Sequence, residues 1–376
     1  MKYPTYKLGD ILSYEQPTNY IVESTEYDGS YPTPVLTAGK SFILGYTNET
    51  KGVYDKLPVI IFDDFTTASQ FVDFKFKVKS SAMKILSCNE EIADIKYMYY
   101  LMQITHIQSD THKRYWISDY SKIPVSLPPL TTQRTIVSRI ESLFAELDKA
   151  EEHLRTAQQQ LKIYRQAVLN HWLNNEDGKW EMVKLGDVAE VNTGATPKRG
   201  IKDYWENGNI PWITSGEVNN VYITKATEFI TAKAIKETNC KIITKGSLVI
   251  AMYGEGKTRG KCAELLIDAA TNQALASITF NSSRVYKSYA KCFFERNYQN
   301  IRMLSSGGVQ TNLNLSIIKN TILPLPPLPE QQRIVKEIES RLSQTEAAEA
   351  RIAESLQQTE ALRQSILKKA FSGELI

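Results

Sequence analysis

Cysteine and histidine are both scarce in this chain, which has 376 residues and four of each type. Neither type has the paired spacing that a zinc site requires, and so few thiols do not make a disulfide scaffold. We therefore expect no structural metal and a reducing compartment. The residues concerned are Cys88, Cys240, Cys262 and Cys292, with His106, His112, His153 and His171.

Long apolar runs and a strong net charge are also missing. Runs such as Val59 to Phe62 are far shorter than the roughly 20 apolar residues of a membrane-spanning helix. Residues 1–4 form no apolar signal core, so we expect a cytoplasmic protein with no membrane partner. The net charge is only +3, but residues 174–328 carry a local excess of five positive charges. This distribution weakly favours a polyanionic partner for that region.

What the chain does have is an internal repeat with an offset of 198 residues. Segment 127–173 matches segment 325–371 without a gap, which pairs Gln133 with Gln331. A second match opens each half, where Lys-Leu-Gly-Asp occurs at residues 7–10 and again at 184–187. Such repetition indicates two copies of one structural unit. We predict two globular regions, 1–126 and 175–324, each followed by a long helix, 127–174 and 325–376.

Both repeated segments have the spacing of a coiled coil, with apolar or small residues at alternating intervals of four and three. In the first segment these are Ile136, Ile140, Leu143, Leu147, Ala150, Leu154, Ala157, Leu161, Tyr164 and Val168. The second keeps Ile334, Ile338, Ala348, Ile352, Leu362 and Ile366, with Arg341, Thr345, Ser355 and Thr359 in the same stripe. Such helices often pair between chains. Two matched copies in one chain favour pairing within the chain.

The repeated segments resemble the specificity (S) subunits of type I restriction-modification systems. The motifs that carry the resemblance are PLPPLPEQQRIV at 324–335, LRQSILKKAF at 362–371, IPWITSGE at 210–217 and TNQA at 271–274. The first helix departs from the pattern, with Thr131-Thr-Gln-Arg where the second has Pro329-Glu-Gln-Gln. The resemblance implies an α+β fold with an internal pseudo-twofold repeat. It contains two target recognition domains joined by two long helices that form an antiparallel coiled coil.

The resemblance also implies a function. Each globular region would read one half of a bipartite, asymmetric sequence in double-stranded DNA, and the helices would set the unread spacer. Two methyltransferase (M) subunits would dock on the helices and carry S-adenosylmethionine, and restriction (R) subunits would carry ATP and magnesium. The chain itself would then hold no cofactor and have no catalytic residue.

Candidate DNA contacts in the first region are cationic and aromatic. Residues 74–79 alternate Phe, Lys, Phe, Lys, Val, Lys, which predicts a strand with one apolar face and one basic face that could follow phosphates. A solvated outer face is the alternative interpretation. A second candidate segment precedes the first helix, and a surface turn is its alternative. The predicted residues are Lys75, Lys77, Lys79, Lys84, His112, Lys113, Arg114 and Tyr115.

Candidate contacts in the second region lie on glycine-rich loops. Glycine lets a backbone approach a polyanion closely, and arginine can contact guanine with two hydrogen bonds. Residues 305–312 hold nearly the position that the segment from His112 holds in the first copy. The predicted residues are Lys198, Arg199, Tyr253, Lys257, Thr258, Arg259, Lys261, Gln310 and Asn312.

Three other patterns define competing hypotheses. Residues 251–258 pass a permissive phosphate-loop pattern, but a nucleotide site would need a helix to follow. Asp64, Asp73 and Lys75 could form a metal-dependent nuclease site. The coiled coil could belong to a purely structural adaptor. An Asn-Pro-Pro-Tyr-like methylation motif and a glycine fingerprint for S-adenosylmethionine are both missing from the sequence, which disfavours a self-sufficient methyltransferase.

Overall fold

The computed structural model describes residues 3–39, 41–105, 107, 114–175, 178–254, 258–281, 283–304 and 312–375. The chain divides into two compact units. The first consists of Met1–Thr156 and Ile352–Ile376, and the second of Ala157–Arg351. Each long helix therefore contributes one part to each unit, a division that the four sequence regions did not anticipate.

The first unit contains three sheets. The largest has the antiparallel order β2-β8-β5-β6, the second has the order β4-β3-β7 with β3 parallel to β7, and β1 pairs with β9. The strands are β1 (Thr5–Lys7), β2 (Leu12–Glu15), β3 (Thr33–Leu36), β4 (Ile43–Thr47), β5 (Val59–Asp63), β6 (Ser69–Val72), β7 (Lys77–Val78), β8 (Met83–Cys88) and β9 (Pro124–Ser126). The helices are α1 (Leu8–Ile11), α2 (Ile95–Ile104), α3 (Tyr115–Ser118) and α4 (Leu130–Trp172), which continues into the second unit.

The second unit repeats this topology with one additional strand, β13, in its large sheet. Its sheets have the orders β11-β18-β15-β16-β13, β14-β12-β17 and β10-β19, and β12 is parallel to β17. The strands are β10 (Glu181–Lys184), β11 (Ala189–Thr193), β12 (Ile210–Ile213), β13 (Tyr222–Ile223), β14 (Glu228–Ile230), β15 (Leu248–Ala251), β16 (Cys262–Leu265), β17 (Ala270–Thr271), β18 (Leu275–Phe280) and β19 (Ile322–Leu325). The helices are α5 (Leu185–Val188), α6 (Ala232–Glu237), α7 (Lys287–Arg296), α8 (Tyr298–Met303), α9 (Leu315–Lys319) and α10 (Leu328–Ser372). The predicted repeat and α+β class are confirmed.

The Lys-Leu-Gly-Asp motif has the same role in both units. Each copy crosses from the first strand into a short helix, and the buried Leu8 and Leu185 begin these helices. The amide of Leu8 donates to the Ile123 carbonyl at 3.0 Å, and the amide of Leu185 donates to the Thr321 carbonyl at 2.9 Å. The motif therefore joins the start of each unit to the segment that leads into its long helix.

The two long helices pair antiparallel within each unit. In the first unit, the beginning of α4 packs against the end of α10, where Ile140 shares a core with Leu367. In the second unit, the end of α4 packs against the beginning of α10, where Leu169 shares a core with Ile338. The proline-rich entries favour helix starts here, since Pro329 lies in the first turn of α10, where a missing amide hydrogen costs nothing.

The predicted helical stripe is wrong at four positions, the first of which is the exposed Ala150. Tyr164 and Leu362 are exposed, and Arg341 is also exposed, whereas Leu342 and Leu367 are buried. The reason is that the helices also pack against their own globular regions, so the buried face follows both neighbours and not a pure heptad seam. Arg165, next to Tyr164, lies inward and forms ion pairs with Glu295 at 2.9 Å and Glu346 at 3.3 Å.

Within the described residues, no helix is both long enough and apolar enough to cross a membrane.

Candidate nucleic-acid interface

The basic face predicted for residues 74–79 is only partly present. Lys75 and Lys79 are exposed, but Lys77 is 3% exposed. The Lys77 ammonium lies 2.7 Å from a Glu49 carboxylate oxygen and donates to the Lys51 carbonyl at 2.7 Å. Burial opposes ionisation of Glu49, but Lys77 and two backbone amides outweigh it and lower the pKa of the carboxyl below its usual value. Lys77 is therefore a structural residue, and its predicted DNA contact is wrong.

Lys84 is also buried, which corrects a second prediction. It lies in β8, which is paired on both sides by β2 and β5. Its ammonium lies 3.4 Å from a carboxylate oxygen of Asp64 and 5.2 Å from the centre of the Tyr14 ring. Asp64 also accepts a hydrogen bond from the Trp116 amide at 2.8 Å. The pair therefore fixes the segment that returns to the core at α3.

The four DNA contacts predicted in the segment before α4 have different outcomes. His112 and Lys113 lie outside the described residues, and Arg114 is exposed. Tyr115 is 1% exposed, so its predicted contact with DNA is wrong. Its amide donates to the Asp64 carbonyl at 2.9 Å. Burial of Tyr115 thus holds Arg114 at the surface beside the core.

The equivalent segment of the second unit is anchored in the same way. The amide of Leu313 donates to the Met252 carbonyl at 3.0 Å, at the end of β15, the strand that corresponds to β5. Asn312 is half-buried, and Gln310 lies outside the described residues. The two segments therefore return to equivalent strand ends, as the alignment of the repeat predicts.

The loop that carries Lys198 and Arg199 is held by two tryptophans. The Trp212 indole donates to the Ala195 carbonyl at 3.0 Å, and the Trp205 indole donates to the Lys198 carbonyl at 3.2 Å. The backbone of Ala195 also bonds to the Thr271 carbonyl at 3.0 Å. Lys198 and Arg199 are both exposed. The loop is thus a fixed surface that presents two cations.

Arg199 is stacked on the same tryptophans. Its guanidinium carbon lies 3.9 Å from the ring centre of Trp205 and 5.1 Å from that of Trp212. Nη1 donates to Glu228, and this hydrogen bond raises the pKa of the Arg199 side chain. Trp205, Trp212 and Glu228 were not predicted as site residues from the sequence. Two tryptophans within 13 residues of a Lys-Arg pair were the available signal.

The other glycine-rich loop is the connection between β15 and β16. Tyr253 is exposed, Thr258, Arg259 and Lys261 are half-buried, and Lys257 lies outside the described residues. Lys261 donates to the Asn219 side chain at 2.7 Å. Since β15 and β16 are antiparallel neighbours, the connection returns directly to the sheet and does not lead into a crossover helix. This geometry contradicts the phosphate-loop alternative.

The proposed nuclease residues are not brought together as a metal site. Asp64 is buried against Lys84, and Asp73 is exposed. Across the described ranges, no group of three or more His, Cys, Asp or Glu residues is placed to hold a metal ion. An ammonium at 3.4 Å neutralises the one buried carboxylate of the proposed set.

Comparison with known proteins shows a family match over most of the chain. The model described as "Type I restriction modification DNA specificity domain" matches residues 2–156 and 177–358. The EcoR124I/EcoR124II specificity subunit of Escherichia coli is 35% identical over 343 residues, covering 88% of this chain and 84% of the relative. The EcoKI specificity subunit of Escherichia coli K12 is 26% identical, covering 69% of this chain and 59% of the relative.

Two solved structures share the fold. One was reported in connection with complex assembly and conformational transition of the type I R-M system. It superposes with a TM-score of 0.74 at 18% identity, covering 99% of this chain and 98% of the other. The HsdS subunit from Thermoanaerobacter tengcongensis superposes with a TM-score of 0.50 at 17% identity, covering 99% and 97%.

Proposed function

The chain belongs to the specificity subunits of type I restriction-modification systems, and on that premise we propose that its two globular domains each read one half of a bipartite DNA sequence. The observation that carries the proposal is a repeated fold with non-repeated loops. The two units share their strand order, apart from β13, which the large sheet of the second unit adds beside β16. The exposed cations, in contrast, occur on different loops, at Lys75 and Lys79 in one unit and at Lys198 and Arg199 in the other. One scaffold with two different surfaces fits a target with two different halves.

Direct readout requires hydrogen-bonding groups at base edges, and phosphate contacts set the register of the protein on the duplex. Lys75, Lys79 and Lys198 are suited to phosphates because their ammonium groups are mobile point charges. Arg114, Arg199 and Arg259 are suited to bases because a guanidinium can donate two parallel hydrogen bonds. In this assignment, Tyr253, Thr258, Lys261 and Asn312 line the surface of the second domain. His112, Lys113, Lys257 and Gln310 stay proposed contacts outside the described residues.

The paired helices would set the spacer and bind the partner proteins. Two M subunits, one for each repeat, would dock there and supply S-adenosylmethionine, and R subunits would supply ATP and magnesium. A relative whose structure describes assembly of the type I R-M system has the same fold, which supports this partnership. The role of this chain would then be to select the sequence and position the methyltransferases, with no chemical step of its own.

One assay distinguishes the proposed function from the nuclease and adaptor alternatives. The chain and its methyltransferase partner are purified together, and binding to double-stranded DNA of random sequence is measured at several salt concentrations. The proposal expects enrichment of a two-part sequence, an affinity that falls steeply with salt, and no cleavage by the chain alone. Magnesium-dependent cleavage by the chain would support the nuclease alternative. The absence of DNA binding in the complex would support a structural adaptor.

A further inference from the structure

We propose that Arg199 is the guanine-reading side chain of the second domain, and that Trp205 is the residue that positions it. The inference rests on the proposed function, since it assigns a base contact to a domain that we propose binds DNA.

The stack of Arg199 on Trp205 leaves one edge of the guanidinium available for hydrogen bonds to a base. Nη1 donates to Glu228, and within the described part of the chain Arg199 has no second hydrogen-bond acceptor. The side chain remains 56% exposed although one face of the guanidinium lies on Trp205. The edge formed by Nε and Nη2 can therefore donate two parallel hydrogen bonds. Guanine presents two acceptors, O6 and N7, in the major groove, and arginine matches them with this geometry.

Preorganisation distinguishes Arg199 from Lys75, Lys79 and Lys198, the exposed lysines that we propose contact phosphates. A free arginine loses rotamer entropy when it is fixed on a ligand. Here the ring of Trp205 and the carboxylate of Glu228 restrict the side chain before DNA binds. Trp205 also fixes the backbone, since its indole donates to the Lys198 carbonyl at 3.2 Å. An aromatic ring that holds the guanidinium in one orientation favours directional hydrogen bonds to a base over a non-directional contact with a phosphate.

The corresponding segment of the first domain does not contain the residues for such a stack. The segment between β2 and β3, residues 16–32, corresponds to the segment between β11 and β12, residues 194–209. Residues 16–32 contain no lysine, arginine or tryptophan and include Glu23, Glu26 and Asp28. The arginine stack is therefore a property of one half of the repeat. Its loss should alter one half of the DNA target and leave the other half unchanged.

The test selects DNA with the complete complex of the chain and its methyltransferase partner. A pool of duplexes with random bases is enriched by binding and sequenced, which gives the base preference at every position. The variants are Arg199→Ala, Arg199→Lys, Trp205→Leu and the double variant Arg199→Ala/Trp205→Leu. The control is Lys202→Ala, because Lys202 is a neighbouring surface cation whose side chain is 81% exposed.

We expect the variants to change the base preference at one position of the DNA target. Wild type should prefer guanine there, and both Arg199 variants should reduce this preference about tenfold to hundredfold, since lysine keeps the charge but lacks the fork. Trp205→Leu should weaken the same preference, and the double variant should match Arg199→Ala, because Trp205 acts through Arg199. Lys202→Ala should change no base preference.

Two results would overturn the inference. The Arg199→Lys variant keeps the charge and the side-chain stem, so it should fold. If this variant retains every base preference, then Arg199 has at most a structural role, even if the thermal stability of the variant is lower than that of wild type. If both Arg199 variants lower binding equally for all sequences, then Arg199 contacts a phosphate. A wild-type complex that enriches no two-part sequence would instead overturn the proposed function, and this outcome is visible before any variant is made.

Discussion

Gln133 and Gln331 are 198 residues apart in sequence and make the same three hydrogen bonds, each in its own domain. Both side chains are fully buried. Gln133 donates to the carbonyls of Pro128 and Ile92 and accepts from the amide of Asp94. Gln331 donates to the carbonyls of Pro326 and Arg284 and accepts from the amide of Tyr286. Each glutamine thus fixes the start of a long helix to the entrance of the domain helix, α2 or α7.

Replacing Gln133 with methionine should destabilise the first domain. Methionine is similar in size but leaves two buried carbonyls and one amide without partners, and an unsatisfied group of this kind costs about 1–3 kcal/mol. We expect the free energy of unfolding to fall by about 3 kcal/mol or more, with faster hydrogen exchange at the Asp94 amide. Gln331→Met is the matched variant and should affect the second domain. Unchanged exchange at Asp94 would contradict the structural role of Gln133.

Removing Glu49 should also destabilise the first domain. Glu49→Ala leaves the buried ammonium of Lys77 without its carboxylate, and breaking such a pair costs about 3 kcal/mol. The double variant Glu49→Leu/Lys77→Met should recover most of this loss, because it buries no charge. Denaturant unfolding measures both effects. Lys75→Ala is the control, since an exposed lysine should change stability by less than about 0.5 kcal/mol.

The ion pair of Glu49 and Lys77 also predicts that the free energy of unfolding depends on pH. The folded pKa of Glu49 is lowered, so its contribution to stability is complete above the unfolded pKa, about 4.3. That contribution is lost as the pH falls below this value and through the lower folded pKa. Glu49→Gln should therefore flatten the pH dependence of unfolding in this acidic range only. An equal slope for wild type and Glu49→Gln would show that Glu49 is not a source of acid sensitivity.

Arginines in separate domains should affect separate halves of the DNA target. Arg114→Ala should relax base preference in one half, and Arg259→Ala should relax it in the other, at about 1–3 kcal/mol each. Lys79→Ala, by contrast, should weaken binding evenly across sequences and reduce the salt slope by about one. Binding to a set of single-base variants of the target measures all three. Relaxation of both halves by one arginine substitution would argue against independent readers.

Lengthening both helices should lengthen the unread spacer. Seven residues inserted after Thr156 and seven after Arg351 preserve the heptad register and add about 10 Å to each helix. This length equals about three base pairs at roughly 3.4 Å per base pair. The half-sites should stay the same while the spacer grows, which sequencing of selected DNA would report. A folded, partner-bound protein with the original spacer would refute the role of the helices in spacing.

The sequence predicted the repeat, the α+β class and both long helices, because these depend on patterns that extend over tens of residues. It did not predict burial of Lys77 and Lys84. Alternation from Phe74 to Lys79 indicated a half-exposed strand, but β7 has only two residues, both buried. Lys77 pairs with Glu49 and Lys84 with Asp64, and such partners, 28 and 20 residues away in sequence, follow no local period. Arg199 was predicted from its loop, whereas its support by Trp205 depends on tertiary packing.

The most direct test of the account is long-read sequencing of methylated DNA from a host that expresses this chain with its methyltransferase partner. We predict methylated adenines in one two-part, asymmetric sequence with an unread spacer of constant length. Exchanging the globular part of the second domain, residues 175–324, for that of a relative should change one half of the sequence only. Methylation of a single continuous sequence, or a change in both halves after the exchange, would contradict the central claim that two domains read DNA independently.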